Sequence, residues 1–205
     1  VTAGSVPGTR DRSWGIRPVG EQLAVLRQPM PFQVFWLWAP LHFEDRFTHY
    51  AFHEHEDGRR WLETAQILDP LPAGASPCSR VGVRECYDIG YELEWKPGRR
   101  EIQRAHLWFT DPIEGETHVE LETLYTFRMR GIGYWHPHWG HGSNHGQYEI
   151  GRESIRLDDF DPTDFASLHL QNVVKASMGE RTGIGVVEQI AIGPHTPSGL
   201  TGFMD

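Results

Sequence analysis

The sequence predicts an all-β fold: an antiparallel barrel or barrel-like sandwich of about eight to ten strands, with at most a short helix. Three observations carry this expectation. Apolar and polar residues alternate with period two through most of the aromatic-rich segments. Turn-forming clusters such as Asp57-Gly58, Lys96-Pro97-Gly98-Arg99 and Gly179-Glu180 separate those segments. Aromatic residues make up 12% of the 205, with eight Trp, which suits sheets that bury large apolar faces.

Taken in order, residues 1–8 read as a loop. Residues 32–43 are apolar on both parities: Phe35, Leu37, Leu41 and Phe43 on one, Phe32, Val34, Trp36 and Trp38 on the other. A strand of that kind is covered on both faces. Residues 46–56 alternate next, with His49, His53 and His55 on one parity and Tyr50 and Phe52 on the other. The charged end of that segment (Glu54, Glu56, Asp57) reads as exposed, and Asp57-Gly58 turns the chain into a partner strand over 59–68. A Pro/Gly/Ser loop covers 69–79. Residues 86–95 place Tyr87, Ile89, Tyr91, Leu93 and Trp95 on one face and Asp88, Glu92 and Glu94 on the other. Segments 101–109 and 118–130 pair around residues 111–115. In the second, Val119, Leu121, Tyr125, Phe127 and Met129 form one face, opposite the solvated Glu120, Glu122, Arg128 and Arg130. Residues 145–157 read as a further strand, and 168–178 and 183–192 as a closing hairpin.

Composition removes several functional classes. A net charge of −9 gives no bulk attraction for nucleic acid or an anionic membrane. No apolar run approaches the ~20 residues of a membrane span, and no signal peptide is visible, so the expected location is cytoplasmic. The two cysteines, Cys78 and Cys86, read as free thiols. Neither a phosphate-binding G-x-x-x-x-G-K-[ST] nor an H-E-x-x-H or G-x-S-x-G motif occurs.

Three stretches carry a resemblance. Gly8-Thr-Arg-Asp-Arg-Ser-Trp-Gly-Ile-Arg17 resembles the signature of lipocalin-like (calycin) proteins related to the carotenoid 1,2-hydratases (hydroxyneurosporene synthases) and the AttH proteins. Gly133-Tyr-Trp-His-Pro-His-Trp-Gly-His-Gly142 and Gly183-Ile-Gly-Val-Val-Glu-Gln-Ile-Ala-Ile-Gly-Pro-His195 resemble further segments of that group. The resemblance implies two barrels joined in one chain. Residues 1–17 would then be a linker and inter-barrel motif, and 18–205 a lipocalin-like barrel, the second half of a longer chain. It implies an apolar guest (isoprenoid, steroid-like or another lipid) and chemistry without a cofactor, such as hydration or isomerisation in the lyase class. A non-catalytic lipid carrier and a metal-dependent enzyme using the His-rich loop stand as alternatives. The N-terminal barrel and a second copy in a homodimer are the protein partners considered.

Hydrating an alkene without a cofactor needs a proton donor, a stabilised carbocation and a base that positions water. Aromatic faces stabilise the cation. His106 and Trp108 share one strand face by period two. The hydratases have a similar His-x-Trp, followed downstream by Tyr-x-Asp. Here Tyr134-Trp-His136 stands at a comparable separation, with His136 in the place of the Asp. The resemblance thus makes His106, Tyr134 and His136 the candidate acid–base group. Trp108, Trp135, Trp139, Trp36, Trp38 and His49 are the candidate lining of the guest site. Arg10, Asp11, Trp14 and Arg17 read as a structural clasp held by charge-assisted pairing. The glycines and Pro137 put His136, His138, His141 and His145 on a loop, and no ligand spacing is fixed there. No metal is therefore assigned, and the last three histidines read as rim or structural residues. Glu188, between apolar neighbours, must be paired, neutral or turned to solvent.

Overall fold

The structure is a computed structural model and describes residues 6–11, 33–76, 78–130, 136, 138–139, 144–159, 161, 164 and 167–203. Nine antiparallel strands form one nearly closed barrel: β1 (Val34–Phe43), β2 (Phe47–Glu54), β3 (Arg60–Leu68), β4 (Val83–Glu85), β5 (Tyr87–Trp95), β6 (Ile102–Asp111), β7 (Gly115–Arg128), β8 (His169–Met178) and β9 (Arg181–Ile192). The order around the sheet is β4-β3-β2-β1-β9-β8-β7-β6-β5, so β1 pairs with β9 and the two ends meet at a seam between β3/β4 and β5. The described residues include short 3-10 turns at Leu157–Asp159 and Thr196–Ser198, and among them no helix is long and apolar enough to cross a membrane.

The period-two pattern sends alternate residues inward. Phe35, Leu37, Leu41, Tyr50, Phe52, Ile67, Leu107, Phe109, Val119, Leu121 and Val174 pack into one core, each large side chain stabilising by about 1.5–3 kcal/mol. The space bounded by Leu37, Tyr50, Phe52, Leu93, Leu107 and Leu121 holds a cavity of only about 10 Å³, no more than a single water needs. β1 is buried on the face of Phe35, Leu37, Leu41 and Phe43 and half-buried on the face of Val34, Trp36, Trp38 and His42. Gly183 and Gly185 let β9 lie against it, because a Cβ on Gly185 would stand 2.3 Å from the Pro40 carbonyl oxygen.

Two sequence expectations fail for identifiable reasons. A bulge between Thr123 and Tyr125 in β7 reverses its parity. Thr126 turns inward while Tyr125 and Phe127 become exposed, and Arg128 reaches the buried Glu101 instead of solvent. Residues 144–156 form no strand: Tyr148 and Ile150 are exposed, and this stretch pairs with no neighbour in the sheet. The short β4 was not anticipated from the sequence.

The two ends of the barrel differ. Arg46–Glu114, Arg84–Asp111 and Arg181–Asp45 ion pairs cover one end. Residues 193–203 plug the other. There the Arg100 guanidinium donates to the carbonyl oxygens of Gly193 and Gly202, and Leu200 packs on the core.

Candidate functional site

The seam opens at the plugged end. β3 pairs with β4 only over Gln66–Leu68. At its start, around Arg60, it faces β5 without a ladder. A slot of about 470 Å³ fills this gap, lined by Glu54, Gly58, Arg60, Tyr91, Glu92, Leu93, Trp108, Pro197 and Ser198. That volume suits a small molecule. The Trp108 indole lies directly over Gly90, where a Cβ would come within 2.2 Å of its ring. Glycine at 90 is what allows the indole to lie flat at the slot.

A buried polar relay forms the wall. Glu54 is 3% exposed and His195 1% exposed. One Glu54 oxygen accepts from Tyr91 Oη at 2.6 Å and from His195 Nε2 at 2.9 Å. The other accepts from Arg60 Nε at 2.9 Å. Burial by itself raises the Glu54 carboxyl, but the hydrogen bonds from His195, Tyr91 and Arg60 outweigh it and hold the pKa below its ordinary value. Glu54 is therefore a carboxylate and accepts the His195 Nε2 proton. That tautomer leaves Nδ1 as an acceptor, and Ser198 Oγ lies 2.9 Å away. The result is a Ser198–His195–Glu54 chain in which the imidazole is positioned to take the hydroxyl proton. Phe35 stacks on the His195 ring at 3.6 Å between centroids and fixes its plane. Burial, followed by the Glu54 hydrogen bond and charge, pushes the Tyr91 phenol far above its ordinary value, so it stays protonated.

The residues expected from sequence are scattered. His106 lies on the outer face of β6, opposite the buried Ala105 and Leu107. It stacks on His118, with Nε2 and Nδ1 2.9 Å apart, and lies tilted against Trp108. It lines neither the core nor the slot, so the proposed pairing of His106 with an interior guest fails on parity. Trp108 does line the slot. Tyr134 and Trp135, with Trp14 and Arg17, lie outside the described residues. Arg10 and Asp11 are described and exposed, and the neighbouring Thr9 Oγ1 meets His42 Nε2 at 3.1 Å.

His136 is a loop organiser. Its Nδ1 accepts from the backbone N–H groups of His138 and Trp139, and its Nε2 meets Glu153 at 2.8 Å. Trp139 packs on Gly151, not in the barrel. Trp36, Trp38 and His49 share the outer face of β1 and β2. Trp36 Nε1 donates to Glu188, and Trp38 Nε1 donates to His49 Nε2 at 2.6 Å. Glu188 is paired: it also meets His169 and Gln171, and these contacts lower its pKa against the effect of burial. Cys78 and Cys86 are free.

Sequence reasoning passed over Glu54, Arg60, Tyr91, His195 and Ser198. One signal was present: Glu54 stands on the parity of Tyr50 and Phe52, so it continues a buried face rather than an exposed strand end. His195 carries no such signal, because its partner Glu54 lies far away in the chain, and Ser198 enters the site only through His195. No curated protein and no solved structure matches this chain. A family model does match, over residues 1–201, and the chain belongs to that family, a family of unknown function (DUF8625).

Proposed function

We propose that the seam slot binds a small molecule and carries out cofactor-free acid–base chemistry on it. The observation that supports this most is the Ser198–His195–Glu54 relay opening onto a slot of about 470 Å³. The small cavity among Leu37, Tyr50, Phe52 and Leu107 leaves no room for a guest at that point of the barrel interior. We therefore place the ligand at the seam, its apolar part against Trp108 and Leu93 and its polar group near Arg60 and Ser198. A lipocalin-like ancestry, as the sequence resemblance implies, fits a lipid-derived compound with one polar end.

In this reading Ser198 Oγ meets the substrate. Ser198 relays protons between the substrate and His195 Nδ1: a proton taken from an allylic carbon or from the attacking water passes to the imidazole, and one is delivered back to the other alkene carbon. The relay thus neither gains nor loses a proton overall, while Glu54 holds the imidazole and stabilises its cation. The Tyr91 hydroxyl and the Arg60 guanidinium keep Glu54 ionised. Hydration and isomerisation of an allylic or hydroxylated lipid fall within the reach of such a relay. The test starts with mass spectrometry of the compounds that co-purify with the full chain. Turnover is then assayed on those compounds and on a panel of isoprenoid alcohols. Ser198→Ala should reduce turnover by a factor of about 10²–10⁴ while leaving binding intact. Full activity in Ser198→Ala overturns the catalytic role; binding without any turnover in the wild type supports a carrier instead.

A further inference from the structure

A second cluster lies outside the barrel, in the loop that follows β7. His138, His145 and Glu149 each offer one ligand atom, and these atoms lie within 4.8 Å of one another. Glu149 bridges the two imidazoles: Oε1 meets His138 Nε2 at 3.0 Å and Oε2 meets His145 Nδ1 at 3.0 Å. The two rings stand 4.2 Å apart between centroids, and Trp139 flanks both.

Two features hold this arrangement before any ligand arrives. His136 ties the turn from within, its Nδ1 accepting two backbone N–H groups and its Nε2 meeting Glu153. Both nitrogens of His136 are thus engaged, which removes it from the candidate ligands. Trp139 seats on Gly151, where a Cβ would stand 2.1 Å from its ring. Only glycine lets the limb carrying His138 and Trp139 lie against the limb carrying Glu149.

We propose that His138, His145 and Glu149 form a binding site for a divalent transition cation of the zinc class. Two imidazole nitrogens and one carboxylate are a ligand set that borderline cations favour over calcium or magnesium. Around an ion with bonds of about 2.0–2.2 Å, tetrahedral ligands stand about 3.4 Å apart. The three side chains need to close by about 1.5 Å at most, within reach of the exposed His138 and Glu149 side chains moving toward the half-buried His145. Each neutral imidazole frees the ligating nitrogen by moving its proton to the other ring nitrogen. The ion then replaces the two N–H contacts to Glu149. A fourth position remains open to water. The cation would staple two limbs that no sheet hydrogen bonds join. The site lies apart from the seam slot and does not depend on the function proposed there.

The test uses the full chain, stripped of metal with a chelator, dialysed and titrated with zinc chloride at pH 7.5 against a chromophoric competitor. One zinc should bind per chain, and bound cobalt should give the intense visible bands of a four-coordinate site. Glu149→Gln and His145→Ala should each raise the dissociation constant at least about tenfold, with the far-ultraviolet spectrum unchanged. His106→Ala and His118→Ala, which remove the other close histidine pair, should leave zinc binding unaltered. The proposal is overturned if the wild type shows no saturable zinc binding. It is equally overturned if Glu149→Gln and His145→Ala bind as the wild type does, or if affinity follows His106 and His118.

Discussion

Replacing Glu54 by Gln changes one buried carboxylate into an amide of the same shape. Three donors converge on it, from Tyr91, His195 and Arg60. Gln offers one acceptor oxygen in place of two and presents an NH₂ to groups that also donate. At least one buried donor is left unanswered, at about 1–3 kcal/mol. Removing one partner of a buried ion pair costs about 3–5 kcal/mol. Arg60 keeps Glu63 and is 27% exposed, so that figure must be discounted.

The expected loss is about 3 kcal/mol, read as a lower urea midpoint at unchanged slope by tryptophan fluorescence at pH 7. The pH dependence has a fixed sign. The folded pKa of Glu54 lies below the ordinary value of 4.5, so its contribution is fully present above that pH. It is lost as the pH falls through the folded value. The gap between wild type and variant should therefore close in acid. A loss under about 1 kcal/mol, or a gap that widens toward acid, would refute the reasoning.

Two further outcomes follow from the packing. Gly185→Ala puts a Cβ 2.3 Å from the Pro40 carbonyl oxygen and 2.9 Å from Leu41 Cα, both backbone atoms. The β1–β9 pair must part, at about 2–3 kcal/mol, and the thermal midpoint should fall by about 5–10 °C; an unchanged midpoint contradicts the close contact. Burial pushes the Cys86 thiol up to about 11, whereas Cys78 is exposed. A thiol reagent at pH 8 should label one cysteine rapidly in the native chain and both in denaturant, and equal native rates would contradict the burial of Cys86.

Strands whose partners are near in sequence were legible. Asp57-Gly58 announces the β2–β3 hairpin, and Gly179 with Glu180 the β8–β9 hairpin, because turn chemistry is local. β1 announced one buried and one half-buried face through apolar residues on both parities. Parity reasoning broke at the Thr123/Tyr125 bulge, since one inserted residue reverses every later side chain. Residues 145–157 alternate well enough to read as a strand, but pairing needs a free edge at the right place, and β7 and β8 already occupy each other.

The site shows the same division. The resemblance drew attention to His106, Tyr134 and His136, and among the described residues expected with them only Trp108 lines the slot. Glu54 was dismissed as an exposed strand end. Its burial depends on His195, 141 positions away, folding back in the plug. Likewise the loop histidines gained a candidate ligand set only once Glu149 was placed between His138 and His145.

What the sequence determined by itself was the all-β class, the order of most strands, and the alternation that fills the interior. These follow from side-chain period and turn residues, which act over a few positions. What the tertiary structure alone decided was the closure of the sheet, the open seam between β3 and β5, and the meeting of Glu54, His195 and Ser198 there. Those depend on which distant strand edges pair and which are left without a partner, and no local pattern encodes that choice.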